Sequence, residues 1–195
     1  MLSSLTDTDE KVAVLNQLKI LLHRHSPFKD QPVDCVLWVQ EKNVIANDYN
    51  PNSVAPAEKR LLWHSLEKDG FTQPIVVSET QGQYLIIDGF HRHELGKRKL
   101  GKKLHGYLPV SRINYASQGT AEHIAITIRH NRARGKHLVA AMSDIVRDLT
   151  RLGWSDMRIG TELGMDADEV LRLKQISGLA DLFSGWNFSD SWTVS

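Results

Sequence analysis

Two short apolar runs, Pro74-Ile75-Val76-Val77 and Tyr84-Leu85-Ile86-Ile87, flank the polar segment Glu79-Thr80-Gln81-Gly82. Runs this short, rich in β-branched residues and bounded by turn residues, read as buried strands joined in a hairpin. An isolated hairpin is only marginally stable in water, so neighbouring segments must cover it. Those neighbours carry the helical period instead. Residues 56–69 place Pro56 in a first turn, direct Leu61, Leu62 and Leu66 inward and stop at Gly70. Residues 90–100 leave the second strand through Asp88-Gly89 and stop at Gly101. Helix, hairpin and helix thus follow in immediate succession.

The other segments extend that pattern. Residues 8–25 repeat Val12, Leu15, Leu18 and Leu22 at helical spacing, with Asp7 or Thr8 as cap. Two prolines in Ser26–Pro32 break the chain before a strand at 33–39, and a further strand is expected at 107–115. Asn47-Asp48-Tyr49-Asn50-Pro51-Asn52 is turn chemistry. From Ala121 onward the pattern is helical. Within it, residues 154–173 have helix-turn-helix spacing: Ser155 caps the first helix, Gly160 permits close packing and Gly164 makes the turn. Asp166 and Glu169 form a capping box, and Ile159, Leu163, Val170 and Leu173 form a small core. The predicted division is an N-terminal helix and linker (1–30), a central domain (31–135) and a helical domain (136–195).

Charge is distributed unevenly. The chain of 195 residues carries a formal charge of +1, yet residues 89–137 hold eleven Lys/Arg against two acids. That surplus predicts an anion-binding surface. Hydrophobic residues make up 41% of the chain, and no stretch reaches the ~18 apolar residues of a membrane helix. Met1–Asp7 lacks a basic start followed by an apolar block, and Cys35 has no second cysteine to pair with. The expectation is a cytoplasmic protein without a membrane partner, with Cys35 a buried small hydrophobe.

Asp88-Gly89-Phe90-His91-Arg92-His93 lies where a strand runs into a helix. Such a junction offers unpaired backbone N–H groups to an anion, Gly89 permits close approach, Arg92 can fork onto phosphate oxygens and His91 can donate to them. The order of motifs around it is specific. Asn50-Pro51-Asn52 comes first, then Gly70-Phe71-Thr72-Gln73-Pro74-Ile75-Val76-Val77, then Gly89-Phe90-His91-Arg92, then His130-Asn131-Arg132-Ala133-Arg134. This succession, over roughly residues 33–137, resembles the N-terminal domain of the ParB family within the ParB/sulfiredoxin-like superfamily. The turn and the Asp-Gly-Phe-His-Arg box are most similar to the immunoglobulin-binding regulator B (IbrB) type.

The resemblance implies a ParB/sulfiredoxin-like α+β domain followed by a small helical segment with a helix-turn-helix. It implies a nucleoside triphosphate, CTP or ATP, with Mg²⁺ as companion. The nucleotide would be held by Gly89, Phe90, His91, Arg92, Thr72, Gln73, Asn131 and Arg134, and the metal by Asp88 and Asn131. Two departures bear on chemistry. Phe90 stands where sulfiredoxins carry their catalytic cysteine, so sulfiredoxin activity is not expected. His130 stands where ParB relatives carry a metal-binding glutamate, so weak dependence on Mg²⁺ is expected. The function implied is a nucleotide-binding regulatory or DNA-associated protein. The alternatives are an enzyme on the same fold (an ATPase, kinase or nuclease using Asp88, Asp48 or Glu94) and a docking adaptor without nucleotide. A homodimer and a phosphoadenosine-phosphosulfate-reductase-like partner are further implications.

Any DNA contact is expected from Lys97, Arg98, Lys99, Lys102, Lys103, Arg129, Arg132 and Lys136. Residues 143–195 carry nine acids against five bases, and Asp166, Asp168 and Glu169 occupy the start of the second helix, where recognition helices approach DNA. His91, His93, His130 and His137 lack metal-ligand spacing and read as surface histidines of a phosphate-binding face. Trp186, Phe188 and Trp192 read as a stripe that packs on the domain or on a partner, the domain being the default.

Overall fold

The computed structural model describes residues 5–47, 55–113, 119–132 and 139–183, with side chains to His130 in the fourth helix and to Gly178 in the last. Helix α1 (Thr8–His25) precedes a short 3-10 turn (Pro32–Asp34) and strand β1 (Val36–Gln40). Then come β2 (Val44–Ile45), α2 (Pro56–Asp69), β3 (Ile75–Thr80), β4 (Gln83–Asp88) and α3 (Phe90–Leu95). A π-helical turn (Gly96–Leu100) leads to β5 (Tyr107–Ile113). The helices α4 (Thr120–Arg132), α5 (Val139–Arg151), α6 (Asp156–Leu163) and α7 (Ala167–Phe183) follow.

The five strands form one mixed sheet in the order β1-β5-β3-β4-β2. β1/β5 and β3/β4 are antiparallel, and β3/β5 and β2/β4 are parallel. The predicted hairpin is β3–β4, and its connection is tighter than expected. Only Gln81 and Gly82 lie outside the strands, both with positive φ (53° and 78°). Two-residue hairpin loops favour such backbone because it matches the twist of the strands. One face of the sheet buries Leu37, Ile75, Val77, Ile86, Leu108 and Val110, with Cys35 at the margin, only 6% exposed. On the other face Ile87 and Ile113 meet Ile126 of α4.

Four expectations are corrected. The strand expected at 33–39 starts only at Val36, because Pro32 initiates a 3-10 turn that leaves Val33 exposed. Leu61 faces solvent, and Leu66 is the buried residue of α2. The helix expected to run evenly from 90 to 100 widens at Gly96, where a Cβ would stand 2.7 Å from the Phe71 ring and 2.9 Å from Leu108. The glycine seats Phe71 against the helix. Lastly, no residue of α1 is buried, and Leu15, Leu18 and Leu22 are 38%, 42% and 72% exposed.

What holds α1 in place is largely polar. β1 is an edge strand, so the outer side of its backbone has no strand to pair with. Both backbone groups of Trp38 go instead to the Asn16 side chain: its N–H donates to Oδ1 (3.1 Å) and its carbonyl accepts from Nδ2 (2.7 Å). Lys19 Nζ donates to the Val36 carbonyl at 2.9 Å. Helix α1 thus covers a row of groups that would otherwise template pairing with another chain. Asp7 caps the helix by accepting from the Glu10 N–H.

The helical half has its own core, and α4 serves both halves. Ala121, Ile124, Ala125 and Ile128 of α4 pack with Ile145, Val146 and Leu149 of α5 and with Trp154, Ile159, Leu163, Val170 and Leu173. The helix-turn-helix forms as read. Ser155 Oγ accepts from the Arg158 N–H, Asp166 Oδ1 accepts from the Glu169 N–H, and Gly164 takes φ 66°. At Gly160 a Cβ would stand 2.9 Å from the Met165 carbonyl oxygen. Among the described residues no helix is long and apolar enough to cross a membrane.

An Asn16→Leu variant keeps the branching of the side chain and removes both of its bonds to Trp38. Urea titration should show a loss of about 1–3 kcal/mol, and light scattering an earlier onset of self-association, as expected for an uncovered strand edge. Unchanged stability would mean that α1 does not guard the sheet.

Candidate functional site

Strand β4 ends at Asp88, and Gly89 turns the chain into α3 with φ 95°, in the left-handed region that favours glycine. A Cβ at Gly89 would stand 3.1 Å from Arg92 Nη2 and 3.3 Å from the Ile75 Cα. The glycine therefore makes room for the guanidinium of Arg92, which folds back over it. Arg92 Nη2 donates to Asp88 Oδ2 (3.2 Å) and Nη1 donates to Gln73 Oε1 (2.9 Å). The side chains of Asp88 and Arg92 are 10% and 12% exposed, so this pair is largely desolvated. Gln73 and Thr72 are exposed in the segment that enters β3. The structure thus brings Gln73, Asp88, Gly89 and Arg92 to one corner of the sheet.

His91 is half-buried, and its ring meets the Phe90 ring edge-on at 5.3 Å and 87°. His93, expected on the surface, is 9% exposed. The first turn of α3 draws it inward, and its Nε2 has no hydrogen-bond partner. Burial, with a smaller contribution from nearby Lys97, pushes the imidazole pKa below its ordinary 6.5; Glu94 opposes this. A neutral buried imidazole is the cheaper form there.

Among the described residues no three His, Cys, Asp or Glu side chains converge on a point where a metal ion fits. Asp88 is bonded to Arg92, and the Asn131 side chain lies outside the described residues. Glu94, weighed as a base, is bonded by Lys59 (2.7 Å) and Arg98 (3.2 Å). The bond from Lys59 holds its carboxyl below the usual range.

The basic residues divide into two groups. Lys97, Lys99, Lys102 and Lys103 are exposed around the π-turn and the loop after it. Arg98 pairs with Glu94, and Arg129 pairs with Glu162 of α6. Arg158 of α6 bonds Glu122 (3.0 Å) and stacks on Trp154 (3.9 Å). Helices α4 and α6 are therefore latched by two ion pairs. Arg134, Lys136, His137, Asp48, the Asn50-Pro51-Asn52 turn, Trp186, Phe188 and Trp192 lie outside the described residues, as does the side chain of Arg132. Sequence reading missed Lys59, Arg60 and Trp63 of α2, which face α3. Their signal, an aromatic among cations at i, i+1 and i+4, is weak without knowledge of the opposing helix.

The buried neutral His93 gives stability a pH dependence. The unfolded chain binds a proton near 6.5 that the native state does not, so stability falls as pH drops below that value. Urea midpoints for the parent should fall more between pH 7.5 and 5.5 than those of a His93→Leu variant. Equal slopes would place the acid sensitivity elsewhere.

The family described as IbrB-like C-terminal HTH domain matches residues 137–185. YbdM of Escherichia coli strain K12 is 55% identical over 190 residues, covering 95% of this chain and 89% of YbdM. The solved Pnob8-like ParB-N domain superposes with a TM-score of 0.51 at 14% identity, over 77% of this chain and 73% of that one. ParB from Caulobacter crescentus complexed to the centromeric parS site gives 0.48 at 17% identity, over 76% and 78%. The chain belongs to the family of YbdM, with a ParB/sulfiredoxin-like α+β fold and an IbrB-type C-terminal helix-turn-helix domain.

Proposed function

We propose that the protein is a nucleotide-responsive, DNA-associated regulatory protein whose Gly89-Phe90-His91-Arg92 box holds the phosphates of a nucleoside triphosphate. The observation that carries this reading is the Arg92 guanidinium, fixed over Gly89 by Asp88 and Gln73. A fork held in one plane loses little freedom when it meets a second anion. Thr72 and Gln73 stand at the edge of the corner, and Asn131 and Arg134 complete the set on this reading. Mg²⁺ would arrive with the phosphates and touch Asp88 and Asn131. The lone carboxylate Asp88, already paired, makes that contact a minor part of the affinity.

The helix-turn-helix domain and the exposed lysines support the DNA-associated half of the reading. Lys97, Lys99, Lys102 and Lys103 offer charge to phosphates with no sequence preference. The acidic start of α7 opposes close approach to DNA there, so the helical domain would contribute positioning or a protein partner more than base readout.

Calorimetry with ATP, CTP and GTP, with Mg²⁺ and with chelator, tests the proposal. Micromolar to millimolar binding of at least one nucleotide is expected, reduced less than a hundredfold by chelator. Arg92→Ala should weaken it at least tenfold, since each charge-assisted hydrogen bond contributes ~1.5–3 kcal/mol. Binding without turnover fits the switch, and turnover fits an enzyme on this fold. An Arg92→Ala variant that is folded and binds as the parent does would move the site elsewhere, and no binding of any nucleotide would leave the adaptor reading.

A further inference from the structure

Helices α2 and α3, with the π-turn that continues α3, enclose a second pocket of about 360 Å³. It shares no residue with the Gly89 box. Pro56, Leu95 and the indole of Trp63 form its apolar lining, and Lys59, Arg60, Arg98 and Lys99 surround it. Among the described residues a single carboxylate, Glu94, serves this group, and it is bonded by both Lys59 and Arg98. Arg60 and Lys99 have no carboxylate partner among the described residues. The Lys99 ammonium stands 5.9 Å from the centre of the Trp63 ring, a cation held at an aromatic wall. Lys97, Lys102 and Lys103 continue the positive surface beyond the pocket.

These features ask for a ligand with two properties at once. It must be anionic enough to meet a surplus of three positive charges, and it must present an apolar or planar body to Trp63. An acidic peptide brings charge but no planar group at regular spacing beside it. Duplex DNA has its bases stacked inside and shows no base face to a side chain. Single-stranded nucleic acid has both properties, with base faces open and phosphates at regular spacing. We propose that the α2–α3 pocket takes an unstacked base of a single-stranded nucleic acid, the base lying on Trp63 and the flanking phosphates on Arg60 and Lys99. The base takes over the ring face beside Lys99, whose ammonium moves outward to the phosphate. This deepens the DNA-associated part of the proposed function and uses no residue of its nucleotide part.

The test is fluorescence anisotropy with a labelled fifteen-nucleotide oligothymidylate, titrated over a range of salt. Trp63→Ala should weaken binding about tenfold, and Trp63→Phe should restore most of it, because stacking needs only an aromatic face. Arg60→Ala with Lys99→Ala should flatten the slope of log affinity against log salt by up to about 1.4, or about 0.7 for each phosphate no longer neutralised. An abasic strand of equal length should bind at least tenfold more weakly than the oligothymidylate. Equal competition by the abasic strand, by a blunt duplex or by oligoglutamate would overturn the proposal. So would undetectable binding, or a folded Trp63→Ala variant with parental affinity. If Trp63→Ala fails to fold, the Trp63→Phe and double-alanine variants with the abasic strand decide the outcome. No nucleoside triphosphate enters the assay, so failure at the Gly89 box and failure here are read separately.

Discussion

The desolvated pairing of Arg92 with Asp88 is the interaction on which the candidate site depends. It joins the last residue of β4, the first turn of α3 and, through Gln73, the segment that leads into β3. Removing one partner from such a pair leaves a buried charge without compensation, which is far costlier than losing an exposed ion pair. The glycine between them is equally constrained, since any Cβ would meet the guanidinium and the neighbouring strand. Sheet geometry, backbone conformation and side-chain charge therefore all fix the same corner. A phosphate arriving there would meet a guanidinium already oriented, in competition with Asp88.

The same chemistry explains which positive charges are available. Of the basic block, Arg98 and Arg129 are taken up by carboxylates, and Arg129 in particular latches α4 to α6. The lysines near the π-turn are exposed. Lysine suits a diffuse phosphate contact because its charge sits on a long flexible stem, whereas arginine suits a fixed bidentate one. Within the basic block, Arg92 sits at the preorganised corner and Arg129 between helices, while Lys97, Lys99, Lys102 and Lys103 lie on the open surface.

The sequence made the hairpin, α2 and the helix-turn-helix legible because each has local punctuation: Gly82 in the hairpin turn, Gly70 after α2, Ser155, Gly164 and Asp166 around α6 and α7. The corner at Gly89 was legible for the same reason, since a glycine between a strand and a helix followed by arginine has few uses. Three features were not legible. The leucines of α1 have perfect helical spacing, yet the helix is held at an edge strand by Asn16 and Lys19, a long-range contact that no period reports. His93 looks like a surface residue beside His91, but two steps along a helix turn a side chain by about 200° and take it into the interior. The two-residue strand β2 is too short to leave a pattern, and its pairing with β4 joins residues some forty apart in sequence.

On the proposed function, an anion carried by a nucleotide sits at the Gly89 corner. Amide hydrogen exchange read by mass spectrometry, with and without saturating ATP or CTP, tests it without a mutation. Bound phosphate should slow exchange across residues 89–93 and in the segment around Thr72 and Gln73, and leave α6 and α7 unchanged. Protection confined to residues 156–173, with the 89–93 amides exchanging as in the free protein, would contradict the account.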